Sequence, residues 1–127
     1  MGDLSRSFSR HEFRCKCRRD CGCDTVDAEL IHVLQALRDY YQARVTINSG
    51  HRCEDHNSAV GGAPATASSK GSMHLYGRAA DFVVDGVRPQ EVQAYLLMKY
   101  PDRYGIGCYS DFTHVDTRGN GPARWPA

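Results

Sequence analysis

A carboxylate stands inside the most strand-like run of this chain, Ala79-Ala80-Asp81-Phe82-Val83-Val84. The run is apolar, rich in β-branched residues and stopped by Asp85-Gly86, so it reads as a strand. An isolated carboxylate is costly to bury there. The fold must bring Asp81 a cation, a metal or several hydrogen-bond donors. A salt bridge to Arg78 or Arg52 is one solution, and a metal is another.

His114 is a second polar residue in a strand-like run, Phe112-Thr113-His114-Val115-Asp116. Taken alone it is either a satisfied core histidine or a ligand. His74 lies seven positions before Asp81, with Gly77 between them, so the two do not share a helix. That spacing suits a ligand on a loop that turns at Gly77 into the strand. Two imidazoles and a carboxylate suit zinc, and three protein ligands leave one tetrahedral position for water, the mark of a catalytic site. The same set serves non-haem iron. Those sites usually hold the first His and the carboxylate two apart on one strand, unlike this chain.

Asp111 precedes His114 by three residues, at the start of that strand or in the turn before it. A second carboxylate near a metal-bound water can act as general base, best with its pKa raised from about 3.9. Ser110-Asp111 is equally good chemistry for a solvated turn. Arg52 follows a short strand in Ser49-Gly50-His51-Arg52. Its guanidinium can hold a carboxylate or a developing oxyanion, or simply face solvent.

The elements around these residues are mixed. Val26, Leu30, Val33, Leu34, Leu37 and Tyr41 recur at three- and four-residue steps, which predicts an amphipathic helix from about Asp27 to Gln42. Asp24, Thr25 or Asp27 can cap it. Residues 44–48 read as a short strand and 54–73 as loop. Pro89 opens a second helix that Pro101 stops. Short strands follow near 104–109 and 112–116, then a tail with the only tryptophan, Trp125. Without a regular βαβ alternation the class is α+β. A chain of 127 residues is expected to be one domain with one core.

Residues 1–25 form a basic, cysteine-rich arm, with Arg6, Arg10, Arg14, Lys16, Arg18 and Arg19 facing few acids. It reads as a solvated arm or a contact for an anionic polymer, pinned to the core by Phe8 and Phe13. Over the whole chain sixteen Lys/Arg meet fifteen Asp/Glu, for a net charge of +1. That balance argues against a dedicated nucleic-acid or membrane-surface binder. No apolar run approaches the ~20 residues of a membrane span. The opening residues lack the apolar stretch of a secretory signal.

Five blocks then carry a resemblance: Ser49-Gly50-His51-Arg52, Glu54-Asp55-His56-Asn57, Ser72-x-His74-x-x-Gly77-x-Ala79-x-Asp81, Gly105-Ile106-Gly107 and Asp111-x-x-His114-Val115-Asp116. Together they resemble the D-alanyl-D-alanine zinc peptidases of bacterial cell walls, in particular the small branch common in bacteriophage, over about residues 8–125. The resemblance implies a small antiparallel sheet flanked by helices, as in the hedgehog signalling domain. It implies His74, Asp81 and His114 as zinc ligands, Asp111 as general base, and Arg52 as the residue that stabilises the polarised carbonyl or binds substrate carboxylate. His51 departs from the Tyr or Phe usual in relatives. The implied activity is hydrolysis of peptidoglycan stem peptides by a monomer, as an L-alanyl-D-glutamate endopeptidase. D-alanyl-D-alanine carboxypeptidase action is the alternative, and a non-catalytic zinc-holding module is a third reading. Synthesis in the cytoplasm and holin-type release to the wall would suit an endolysin without a signal.

Six cysteines are unusual for a cytosolic protein. Cys15-x-Cys17 and Cys21-x-Cys23 depart from the C-x₂₋₄-C spacing of a zinc knuckle, and neighbours that close bridge poorly. The expectation is disulfides across the arm or to Cys53 and Cys108, with reduced packing residues as the alternative.

Overall fold

Asp27 sets the start of the first helix, α1 (Ala28–Tyr41): its carboxylate accepts the Leu30 N–H at 3.3 Å. Of the three capping candidates it is the one that satisfies an otherwise orphaned donor. The helix ends at Gln42, whose φ of 50° is left-handed. Its Leu30, Val33, Leu34 and Leu37 are buried, as the periodicity predicts. These observations come from a computed structural model, which describes residues 2–126.

The strands are β1 (Val45–Ser49), β2 (Ala79–Val84), β3 (Gly105–Cys108), β4 (Thr113–Asp116) and β5 (Ala123–Trp125). They form one sheet in the order β1-β2-β4-β3-β5. The first three pairings are antiparallel, while β5 joins the edge parallel to β3. The small antiparallel sheet therefore carries a parallel edge strand where the sequence predicts only a tail. α3 (Pro89–Lys99) has Pro at its first turn and buries Val92 and Leu96. A short helix, α2 (Glu54–Ala59), occupies the start of the stretch read as loop, capped by the Cys53 side chain. Six residues with no apolar stripe give no periodic signal for it.

Side chains alternate across a strand, and the register shows what each face receives. Ile106, Val115 and Ala80 align across β3, β4 and β2, and Phe82 aligns with Ile47. All five are buried in the core, together with the apolar stripe of α1 and the buried residues of α3. Phe8 and Phe13, each 1% exposed, reach this core from the arm. Fully burying side chains of this size contributes about 1.5–3 kcal/mol each. The opposite parity puts Asp81 directly across from His114 and Ala79 across from Asp116. A polar face is thus built by the same ladder that builds the core.

Among the described residues no helix is long and apolar enough to cross a membrane. The six cysteines are free thiols. Cys108 lies in β3, while Cys15 and Cys53 bring their sulfurs to 3.8 Å, so the expected disulfides are not formed.

Candidate metal centre

His74 arrives on a 3₁₀ turn (Met73–Tyr76) that Ser72 caps and Gly77 ends at a φ of 69°. A Cβ at Gly77 would lie 2.3 Å from the Thr25 carbonyl oxygen, so only glycine fits where the chain swings into β2. This is the turn that the seven-residue spacing implied. His74 is 2% exposed, and its Nδ1–H donates to the Gly50 carbonyl at 2.7 Å. Its Nε2 faces Asp81 Oδ1 at 3.3 Å without a hydrogen bond. Among the described residues it is the one buried side-chain polar atom with no partner.

Asp81 meets all of its partners across the sheet. Oδ1 accepts from His114 Nδ1 at 2.9 Å, and Oδ2 accepts from Arg52 Nη2 at 3.1 Å. Arg52, not Arg78, is therefore its cation; Arg78 turns instead to Thr117. Burial opposes ionisation of Asp81, but the His114 and His74 interactions outweigh it and hold the carboxyl well below its usual range. One donor atom from each of His74, Asp81 and His114 lies within 4.8 Å of the others.

His114 is gripped from both sides. Its Nε2–H donates to Asp116 Oδ2 at 2.7 Å, and Arg118 clamps that carboxylate through Nε at 2.7 Å and Nη2 at 2.8 Å. Burial lowers the His114 pKa, yet the two carboxylates raise it overall. Burial likewise opposes the Asp116 charge, and the Arg118 and His114 bonds override it to push the pKa down. Asp116 is fully buried. The glycines of β3 make this possible: a Cβ at Gly105 would meet the Asp116 carboxylate at 2.4 Å, and one at Gly107 the Trp125 indole at 2.5 Å.

The residues fit a zinc ion. The orphaned Nε2 of His74 needs a partner, and the donor set is two imidazoles and one carboxylate. Each histidine has its other ring nitrogen bonded to a carbonyl or carboxylate, the support that orients metal-binding imidazoles.

The cluster opens into a cavity of about 600 Å³. Tyr109 and Phe112, stacked at 4.3 Å, line it with Trp125, whose Nε1–H donates to the Tyr109 hydroxyl at 2.9 Å. The 60–63 and 69–73 segments face them. Arg52 is on the wall, with Nε on Ser49 Oγ (3.0 Å) and Nη1 on Asn57 Oδ1 (3.3 Å). Asp111 is exposed in the bend before β4 and is not on the cavity wall. A three-residue offset from His114 has the opposite strand parity, whereas the two-residue offset of Asp116 shares the face. His51 stands outside the cluster, accepting from Thr25 N–H at 3.0 Å and donating to the Leu75 carbonyl at 3.1 Å.

Asp116, Arg118, Tyr109 and Trp125 had no assigned role in the sequence reading. For Asp116 a signal existed: it is a second polar residue at i+2 from His114 in an otherwise buried strand. For Trp125 there was none, because its neighbour Gly107 is brought to it only by the parallel pairing of β5.

The family model described as Peptidase M15 matches residues 6–116. No curated protein and no solved structure matches the chain significantly.

Proposed function

The chain belongs to the peptidase M15 family of zinc metallopeptidases, and we propose that it hydrolyses peptidoglycan stem peptides at the L-alanyl-D-glutamate bond. The observation that carries the reading is the buried His74, Asp81 and His114 group at the base of an open cavity. These three residues would hold the zinc ion. Zinc there would act as a Lewis acid toward the scissile carbonyl and lower the pKa of water.

The chain's own residues supply the rest. Arg52 neutralises Asp81 and keeps it aimed at the two histidines. Asp116 and Arg118 fix the orientation of His114. Tyr109, Phe112 and Trp125 offer a flat apolar wall for the peptide. In this reading Asp111 takes the proton from the attacking water and returns it to the leaving amine. It must turn inward from the bend to do so. Asp116 has both oxygens committed to His114 and Arg118, so it positions rather than accepts.

The choice of endopeptidase draws support from the arginines. A carboxypeptidase needs a free cation for the terminal carboxylate. Arg52 and Arg118, the arginines on the described cavity wall, are each paired with a buried carboxylate. On this reading the protein works on the wall as a monomer, reached by holin-type release from the cytoplasm.

Mass spectrometry of purified peptidoglycan after digestion tests this. Stem peptides cut after L-Ala are expected. Loss of a terminal D-Ala alone would make it a carboxypeptidase, and unchanged muropeptides with zinc bound would make it a binding module.

A further inference from the structure

The N-terminal arm poses a problem of energetics. Between Arg14 and Thr25 it has no helix or strand, and most of its side chains are exposed. Such a segment buries too little apolar surface to order itself. Yet its cysteines converge. One sulfur from each of Cys15, Cys17, Cys21 and Cys53 lies within 4.8 Å of the others.

Cys15 Sγ and Cys53 Sγ are 3.8 Å apart, far beyond a disulfide bond. A tetrahedral zinc with Zn–S bonds of about 2.3 Å sets its sulfurs about 3.8 Å apart. The sulfurs also receive backbone donors: Cys53 N–H points to Cys15 Sγ and His56 N–H to Cys53 Sγ, each at 3.4 Å. Hydrogen bonds of this kind are the outer-shell contacts that orient metal ligands. Four thiolates around Zn²⁺ leave a charge of −2, and the cysteines are interleaved with Arg14, Lys16, Arg18 and Arg19. The basic character of the arm then has a reason.

We propose that Cys15, Cys17, Cys21 and Cys53 bind a second, structural zinc ion as a closed tetrathiolate site. Three ligands come from the arm and the fourth follows Arg52, beyond β1. The sequence spacing hides the site because its fourth ligand is remote in the chain. Its place in the fold defines its task. His51 N–H already bonds the Phe13 carbonyl at 2.8 Å, and Arg52 N–H bonds the His74 carbonyl at 2.9 Å. A metal at Cys53 clamps the arm to the segment that carries Gly50 and Arg52, the supports of His74 and Asp81. The site is closed, with four protein ligands and no position for water, so it contributes stability rather than chemistry.

The test is metal stoichiometry of the full chain purified under reducing conditions. The wild type is expected to hold two zinc ions per chain. His114→Ala should hold one, and X-ray absorption on it should show only sulfur neighbours at about 2.3 Å. Cobalt substitution of that variant should give a thiolate charge-transfer band, absent once Cys15→Ser is added. Cys23→Ser and Cys108→Ser should keep both ions. If the variant with Cys15→Ser does not fold, a mercurial thiol reagent on the wild type should release one zinc and leave the other. One zinc per chain with no sulfur neighbours would overturn the proposal, as would iron in the site or a Cys15–Cys53 disulfide in the reduced preparation. Failure of the catalytic site is distinct: the wild type would then hold only sulfur-bound zinc.

Discussion

The two clusters of potential ligands in this molecule are organised in opposite ways. His74, Asp81 and His114 are presented by a sheet and a capped turn, all buried, with every supporting contact in place. The four cysteines sit on irregular chain, Cys15 buried, Cys17 and Cys53 half-buried and Cys21 exposed, with no ladder to hold them. In the first case the fold builds the site, and the register of β2 against β4 sets Asp81 opposite His114 before any ion arrives. In the second case the proposed ion would order the chain, because between Arg14 and Thr25 the arm has no helix or strand and most of its side chains are exposed. Removing a metal from the first should therefore cost chemistry, and from the second, order.

The largest effect expected is on the sheet side. Chelation, or His114→Ala, should reduce muropeptide release to background, and zinc should restore the chelated wild type but not the variant. Zinc content and release measured together check this; full activity in a His114→Ala protein with no zinc beyond a sulfur-bound ion would end the hydrolase reading.

Asp111→Ala comes next. As general base its loss should lower turnover by about 10²–10⁴-fold, with zinc content and melting temperature unchanged. Retained turnover would return Asp111 to a solvated bend and leave proton transfer to a residue inside the cavity. Loss of zinc would instead make Asp111 a ligand.

Asp116→Asn sharpens the claim that the sheet-side site is pre-organised. Asn keeps the size and an acceptor for His114 but gives up the charge. A fall of about 10–100-fold in zinc affinity or activity is expected, measured by competition with a chelator of known affinity. Unchanged affinity would show that the turn and register alone position His114.

Gly105→Ala should have the smallest effect. Its Cβ would meet the Asp116 carboxylate, a strain of about 1–3 kcal/mol, read as a lower midpoint in denaturant. The cysteine-bound zinc should stay, since it lies outside this ladder. Loss of both ions together would break the distinction drawn between the two regions.

Much of this was legible in the sequence, for a local reason. The stripe from Val26 to Tyr41, the β2 run and the Pro89 start each depend on neighbours a few residues away, and each takes the expected form, with Asp27 the cap among the three candidates. Asp81 and His114 were legible because a polar residue in an apolar strand advertises a partner. Which partner was another matter. Arg52 and Arg78 were equivalent on paper, and only the packing of β1 beside β2 selects Arg52. The parallel addition of β5 brings Trp125 to Gly107, a contact with no local trace. That Asp116 shares the face of His114 was settled only by the pairing of β4 with β2. The cysteines are the extreme case: their spacing in the arm argued against zinc, and the fold supplies Cys53 from beyond β1. Periodicity and capping are properties of a segment. Ion pairs, ligand sets and edge pairings are properties of register, and register exists only when distant segments meet.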